Sequence, residues 1–243
     1  SEKVNYQSVF FSGTIEVYNV TTAHSFWISG ITKTLTSGYY IKDSINKGEI
    51  YFAKINSSAN SYLAGLVNVN QSGDLQIYSE DAALPKASIG IINSVNYCDL
   101  TSTMNADYYG ITGSGNVFVG GIVTLNRGSI QDTLNMGDVK FANLSPISSS
   151  VRFSDDENTG GMVLNAYYGI IAGGVAAAAA NGNSRIYDSA NSGDIIAQSR
   201  NFGRAGGVLA LCLYYELSAA SVSVSLSENN IGESVLSNCI NYG

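Results

Sequence analysis

The stretch GGIVTLNRGSIQDTLNMGDVKF, Gly120 to Phe141, holds in its shortest form a pattern that recurs along the whole chain. Ile122 and Thr124, then Ile130, then Val139 and Phe141 alternate with period two, as half-buried strands do. Asn126-Arg127-Gly128 and Asn135-Met136-Gly137 punctuate them. Asn and Gly tolerate positive φ, so each triplet is expected to bend the chain sharply. Three short strands and two bends in about twenty residues fit one rung of a β-solenoid better than a hairpin.

Aligned on one asparagine, the copies read KDSINKGEIYF (Lys42 to Phe52), INSVNYCDLTS (Ile92 to Ser102), QDTLNMGDVKF (Gln131 to Phe141), YDSANSGDIIA (Tyr187 to Ala197) and LSNCINYG (Leu236 to Gly243). The shared asparagines are Asn46, Asn96, Asn135, Asn191 and Asn241, at intervals of 50, 39, 56 and 50 residues. A small-small-apolar triplet precedes each, with Gly30, Gly65, Gly121, Gly174 and Gly207 as its second residue; the gaps to the asparagine are 16, 31, 14, 17 and 34. The two long gaps mark insertions at 71–88 and 214–233. Periods of this size belong to stacked repeats, whose units bury their apolar faces only against neighbours. Equivalent asparagines are expected to form ladders, each amide bonding the next.

These features predict an all-β chain, a right-handed parallel β-helix over residues 1–243 as a single domain. Two rungs per repeat would give about ten in all and, at ~4.8 Å per rung, a rod on the order of 45–50 Å. The first segment, 9–28, alternates well and is expected to form the first rungs. Ala has the best helix propensity, so GGVAAAAANG (Gly173 to Gly182) competes as a helix. Its alignment with Gly120-Gly121-Ile122 assigns it to a strand. The chain has no initial Met and breaks off inside its fifth signature, so it is expected to be a piece of something longer.

Composition narrows the function. Charged residues make up 13%, the net charge is -7, and Lys and Arg form no cluster, which disfavours nucleic acid and anionic membrane surfaces. The longest apolar run, GIIAGGVAAAAA (Gly169 to Ala180), is too short to span a bilayer. Cys98, Cys212 and Cys239 show no CxxC or paired CxxH, so they read as small apolar fillers.

The triplet followed by x-N-x-G-x-I-x-[DN]-[ST]-x-N-x-G-[DE]-[VI] resembles the GLUG repeat of large bacterial surface and secreted proteins, including the non-catalytic N-terminal region of immunoglobulin A1-cleaving metalloproteases. The likeness is clearest at Gly120 to Val139 and Gly173 to Ile195, and it touches some two-thirds of the chain. Ala64 to Leu100 departs most, with Cys98 where the family has Gly. The resemblance implies a right-handed parallel β-helix and a cell-surface or extracellular setting, and carries over no catalytic residues.

Chemistry is thin. His24, the only histidine, shares an expected strand face with Phe26 and Ile28 and reads as structural. Asp43/Glu49, Asp132/Asp138 and Asp188/Asp194 superficially suggest a calcium loop. Ile45, Leu134 and Ala190 stand where that loop needs an oxygen ligand, so the acids read as turn-stabilising. No metal site and no cofactor are expected. Asp155-Asp156-Glu157, in an expected polar loop near Arg152, has the chemistry to bind Ca2+ or to supply paired carboxylates for glycan cleavage, but adjacent acids on a loop read as a solvated segment. Tyrosine pairs at Tyr39-Tyr40, Tyr108-Tyr109, Tyr167-Tyr168 and Tyr214-Tyr215 would put one ring of each outward, a contact strip for a host protein or glycan.

The expected function is a non-catalytic interaction or spacer module presenting an extended β-surface, with 71–88, 145–158 and 214–233 as variable contact loops. The alternatives are a β-helix carbohydrate-active enzyme and the substrate-positioning domain of an immunoglobulin-cleaving protease.

Overall fold

The structure, a computed structural model, describes residues 5–73, 89–102, 111–112, 115–143, 152–156, 161–165, 169–180, 184–199, 202–213 and 235–243. It is all-β, with no helix among the described residues, and its pairings are parallel apart from one antiparallel pair, Arg152–Asp156 with Gly161–Asn165. The chain passes through five ladders in a constant order and returns each time beside the strand it left, which is the path a β-solenoid requires.

One circuit shows the order. Tyr40–Lys42 lies in the first ladder, Ile45–Asn46 in the second, Glu49–Ser57 in the third, Ser61–Ala64 in the fourth and Val67–Gly73 in the fifth. The next circuit adds Gly90–Ile92, Val95–Asn96, Asp99–Ser102, Val117–Gly120 and the start of Val123–Gln131 as their respective neighbours. The second ladder has six strands, the last four of them ending in Asn96, Asn135, Asn191 and Asn241.

This register corrects the expected ten rungs. Asn46 pairs directly with Asn96, and Asn96 with Asn135, so a repeat adds one strand to the second ladder rather than two. Among the described residues the six strands of this ladder span five spacings, about 24 Å at ~4.8 Å each. Circuits are long because each visits five ladders. A second correction concerns Asn126-Arg127-Gly128. Val123–Gln131 runs through it as one strand that joins the fifth ladder to the first. The triplet marks the passage between ladders without ending the strand: Val123 to Asn126 pair in the fifth ladder and Ser129 to Gln131 in the first, with a register shift between Asn70 and Gly73.

The alanine run is a strand, Ala176–Ala180, held on one side by the strand of Val123 and on the other by that of Leu209. A helix there would leave both neighbouring strands with unpaired backbone groups, a cost that outweighs the propensity of Ala. Residues 14–22 pair with Glu49–Ser57, so the N-terminal segment does form the first circuit.

Alternation sorts side chains to two sides of each strand. Phe26, Phe52 and Phe141 turn inward between the third and fourth ladders, with ring centroids 6.4 and 5.6 Å apart. On the other side of the fourth ladder Trp27 stacks on Tyr62 at 3.7 Å, and Tyr62 on Phe118 at 5.2 Å. Phe52 is fully buried. Phe52→Ala should therefore lower stability by about 3–5 kcal/mol, whereas Ile196→Ala, at a side chain 43% exposed, should cost under about 1 kcal/mol. Urea titration at unchanged m checks both.

Candidate functional site

The signature asparagines stack in file, Asn46, Asn96, Asn135 and Asn191 buried and Asn241 exposed at the end. Asn96 Nδ2 donates to Asn135 Oδ1 (2.8 Å), Asn135 Nδ2 to Asn191 Oδ1 (2.7 Å), and Asn191 Nδ2 to Asn241 Oδ1 (2.8 Å). The same amides close their own turns by donating to the carbonyls of Cys98, Gly137, Gly193 and Gly243, two residues on. Asn46 begins the file differently: its Nδ2 donates to Gly65 O at 2.6 Å, and its Oδ1 accepts from Gly48 N–H. In the preceding strand Phe11 holds the asparagine position.

The glycine triplets belong to the same object. A Cβ at Gly30, Gly65, Gly121, Gly174 or Gly207 would run into the side chain of Asn46, Asn96, Asn135, Asn191 or Asn241 respectively. At the first four it would also strike the carbonyl of the glycine in the next circuit. The two signatures, 14 to 34 residues apart in sequence, are therefore two halves of one contact. Glycine is required because the amide fills the space a side chain would need.

Two further columns complete the corner. Ser8, Asp43, Asn93, Asp132, Asp188 and Asn238 share positive φ between 45° and 54°, where Asn and Asp are the best-tolerated side chains after glycine. Asn93 Nδ2 donates to Asp43 Oδ1 (2.7 Å) and Asn238 Nδ2 to Asp188 Oδ1 (3.1 Å). One residue on, the hydroxyls of Ser44, Ser94, Thr133 and Ser189 each donate to the carbonyl two residues back. The acids of the apparent calcium loop are thus corner residues.

The partner acids form an outer column, Glu49, Asp99, Asp138 and Asp194, on paired strands. Asp99 accepts from Asp138 N–H, and Asp138 from Asp194 N–H, both at 2.9 Å. Lys140 Nζ bridges Asp138 and Asp194. Partial burial alone would raise the Asp138 carboxyl; the Lys140 ammonium and the Asp194 N–H outweigh it and hold it low. Among the described residues no three of His, Cys, Asp and Glu gather closely enough to hold a metal ion.

The remaining candidates are dispersed. His24 is exposed at a bend after Thr14–Thr22, its N–H donating to Thr22 Oγ1 (3.0 Å), rather than on the strand of Phe26. Asp155 and Asp156 lie in the antiparallel strand Arg152–Asp156 rather than a loop, and Glu157 lies outside the described residues. Tyr39 is half-buried against the core beside Ile41, and Tyr40, also half-buried, donates its N–H to Asn5 Oδ1. Tyr108, Tyr109, Tyr167, Tyr168, Tyr214 and Tyr215 lie outside the described residues, as do 74–88 and 214–233.

The exposed aromatics are others: Tyr18 and Tyr51 on the third ladder, and Phe10, Tyr97 and Tyr242 on a face of the second ladder that sequence reasoning missed. Because Phe11 and the five asparagines point inward, the apolar residue before each points outward: Phe10, Ile45, Val95, Leu134, Ala190 and Ile240 form one paired column. The residue after each asparagine adds a parallel outward column that includes Tyr97 (44% exposed), Met136 (41%) and Tyr242 (72%). Lys47 Nζ sits 5.0 Å from the Tyr97 ring. The sign that could have revealed it is an apolar residue beside an invariant buried amide.

Cys98 occupies the glycine position of its repeat, buried in the core, and burial pushes its thiol from 9.0 up to about 12. The family, curated-protein and solved-structure comparisons return no match to this chain.

Gly121→Ala should cost about 3 kcal/mol through overlap with Gly174 O and the Asn135 side chain. Asn135→Ala should cost about 2–4 kcal/mol by stranding the Asn96 and Asn191 amides, both read from thermal unfolding. The raised Cys98 pKa adds stability that is whole below 9.0 and is lost as pH climbs toward 12. Relative to Cys98→Gly, the native chain should lose stability across that window and resist thiol reagents at pH 8 while folded.

Proposed function

We propose that the chain is a non-catalytic interaction or spacer module of a bacterial surface or secreted protein, wound as a right-handed parallel β-helix and presenting an extended β-surface to a protein or glycan. One observation carries the reading: the residues that make the repeat recognisable are taken up by contacts between circuits. The asparagines bond one another, the glycines lie against them, the hydroxyls close turns and the aspartates hold corners. A repeat conserving those positions specifies shape and leaves its outward residues open to binding. The likeness of Gly120 to Val139 to the GLUG repeat supports the bacterial surface setting.

The chain immobilised on a sensor should bind a protein or glycan saturably and equally well with or without a chelator. It should show no turnover of polygalacturonate, alginate or glycosaminoglycans. Turnover abolished by Asp156→Asn would replace this reading with a carbohydrate-active enzyme. Selective binding of immunoglobulin A1 would specify it as a substrate-positioning module.

A further inference from the structure

We infer that the outward face of the second ladder is a docking surface for a basic, apolar polypeptide segment, which rests on the module reading above and names its partner. The face has two outward columns flanking the buried asparagines. Phe10 (61% exposed), Ile240 (48%), Tyr97, Met136 and Tyr242 are its most open side chains, with Val95 and Leu134 half-buried between them. Six paired strands make the stripe about 24 Å long, and two residues of extended chain make it ~7 Å between columns. The first column is apolar throughout, Lys47 and Ser192 interrupt the second, and the alignment of these apolar side chains between acidic rims is what points to an interaction site.

Its borders decide the partner. Two residues outward on one side stand the corner acids Asp43, Asp132 and Asp188; two residues outward on the other stand Glu49, Asp99, Asp138 and Asp194. Lys42, Lys47 and Lys140 are the nearby cations, and Lys140 is held by Asp138 and Asp194. Each border lies ~7 Å from the apolar columns, inside the ~8 Å screening length of physiological salt. A second copy docking by the same face would set acid against acid, and anionic glycans and nucleic acid are repelled for the same reason. The first column, Phe10, Ile45, Val95, Leu134, Ala190 and Ile240, offers a sugar no side-chain hydrogen bonds. A segment with Leu-like side chains between Lys or Arg satisfies both the strip and its rims.

The test uses the full chain and three labelled sixteen-residue peptides alternating Lys-Leu, Lys-Ser or Glu-Leu, read by fluorescence anisotropy at physiological salt. The Lys-Leu peptide should bind at least tenfold tighter than either control. Val95→Lys with Leu134→Lys should weaken it at least tenfold while circular dichroism and the unfolding midpoint stay near those of the native chain. Asp99→Asn with Asp132→Asn and Asp194→Asn keeps the acceptor oxygens and the corner conformation; it should weaken binding severalfold and flatten its salt dependence. Equal binding of Lys-Ser would reduce the effect to net charge and overturn the surface. Equal binding of Glu-Leu would reduce it to indiscriminate apolar adsorption. A dimer in sedimentation that Val95→Lys with Leu134→Lys dissolves would make a second copy the occupant and also overturn it. Glycan binding without peptide binding removes this surface but keeps the module reading, whereas polysaccharide turnover removes the module reading itself.

Discussion

Asn135 sits with its amide wholly out of water, donating to Asn191 and to Gly137 while accepting from Asn96. A buried amide left unpaired costs a large share of a domain's net stability, so Asn96, Asn135 and Asn191 each commit the next circuit to place another asparagine in register. That demand fixes the repeat. It sets where each circuit must return, and it forces glycine at Gly121 and Gly174, whose missing side chains make room for the amides. Insertions are tolerated anywhere that does not disturb this return, which is why gaps of 14 and 34 residues close onto the same contact.

The same commitment inverts polarity along the second ladder. Strand alternation that sends Asn96 and Asn135 inward must send Val95 and Leu134 outward. Elsewhere the usual order holds: Ile50, Leu100 and Val139 face the core while Glu49, Asp99 and Asp138 face water. One narrow face therefore carries apolar side chains that a core-seeking reading assigns to the interior, rimmed by the acids of the columns beside it.

The ladder also has a distinct beginning. Phe11 holds the asparagine register in the first strand and lies against Gly13 and Gly48, so the amide file starts one strand later, at Asn46. Cys98 shows a different tolerance: it replaces the corner glycine of its repeat and turns its thiol into the core, where burial keeps the proton on. The corner position accepts a small apolar side chain there, and burial rather than reactivity defines it.

The recurring asparagines, the glycine triplets and the strand assignment of Ala176–Ala180 were legible from residues alone, because each is a local preference repeated at fixed spacing. The parallel all-β character followed from them. The number of circuits was not legible, since a period near fifty residues fits either one long circuit or two short ones, and only the pairing of Asn46 with Asn96 separates them. Nor was the contact between glycine and amide, the unbroken strand through Asn126, or the outward turn of Val95 and Leu134. Periodicity records which positions alternate, but which side of the strand meets the interior depends on the neighbouring circuit, and that is settled only when the chain closes on itself.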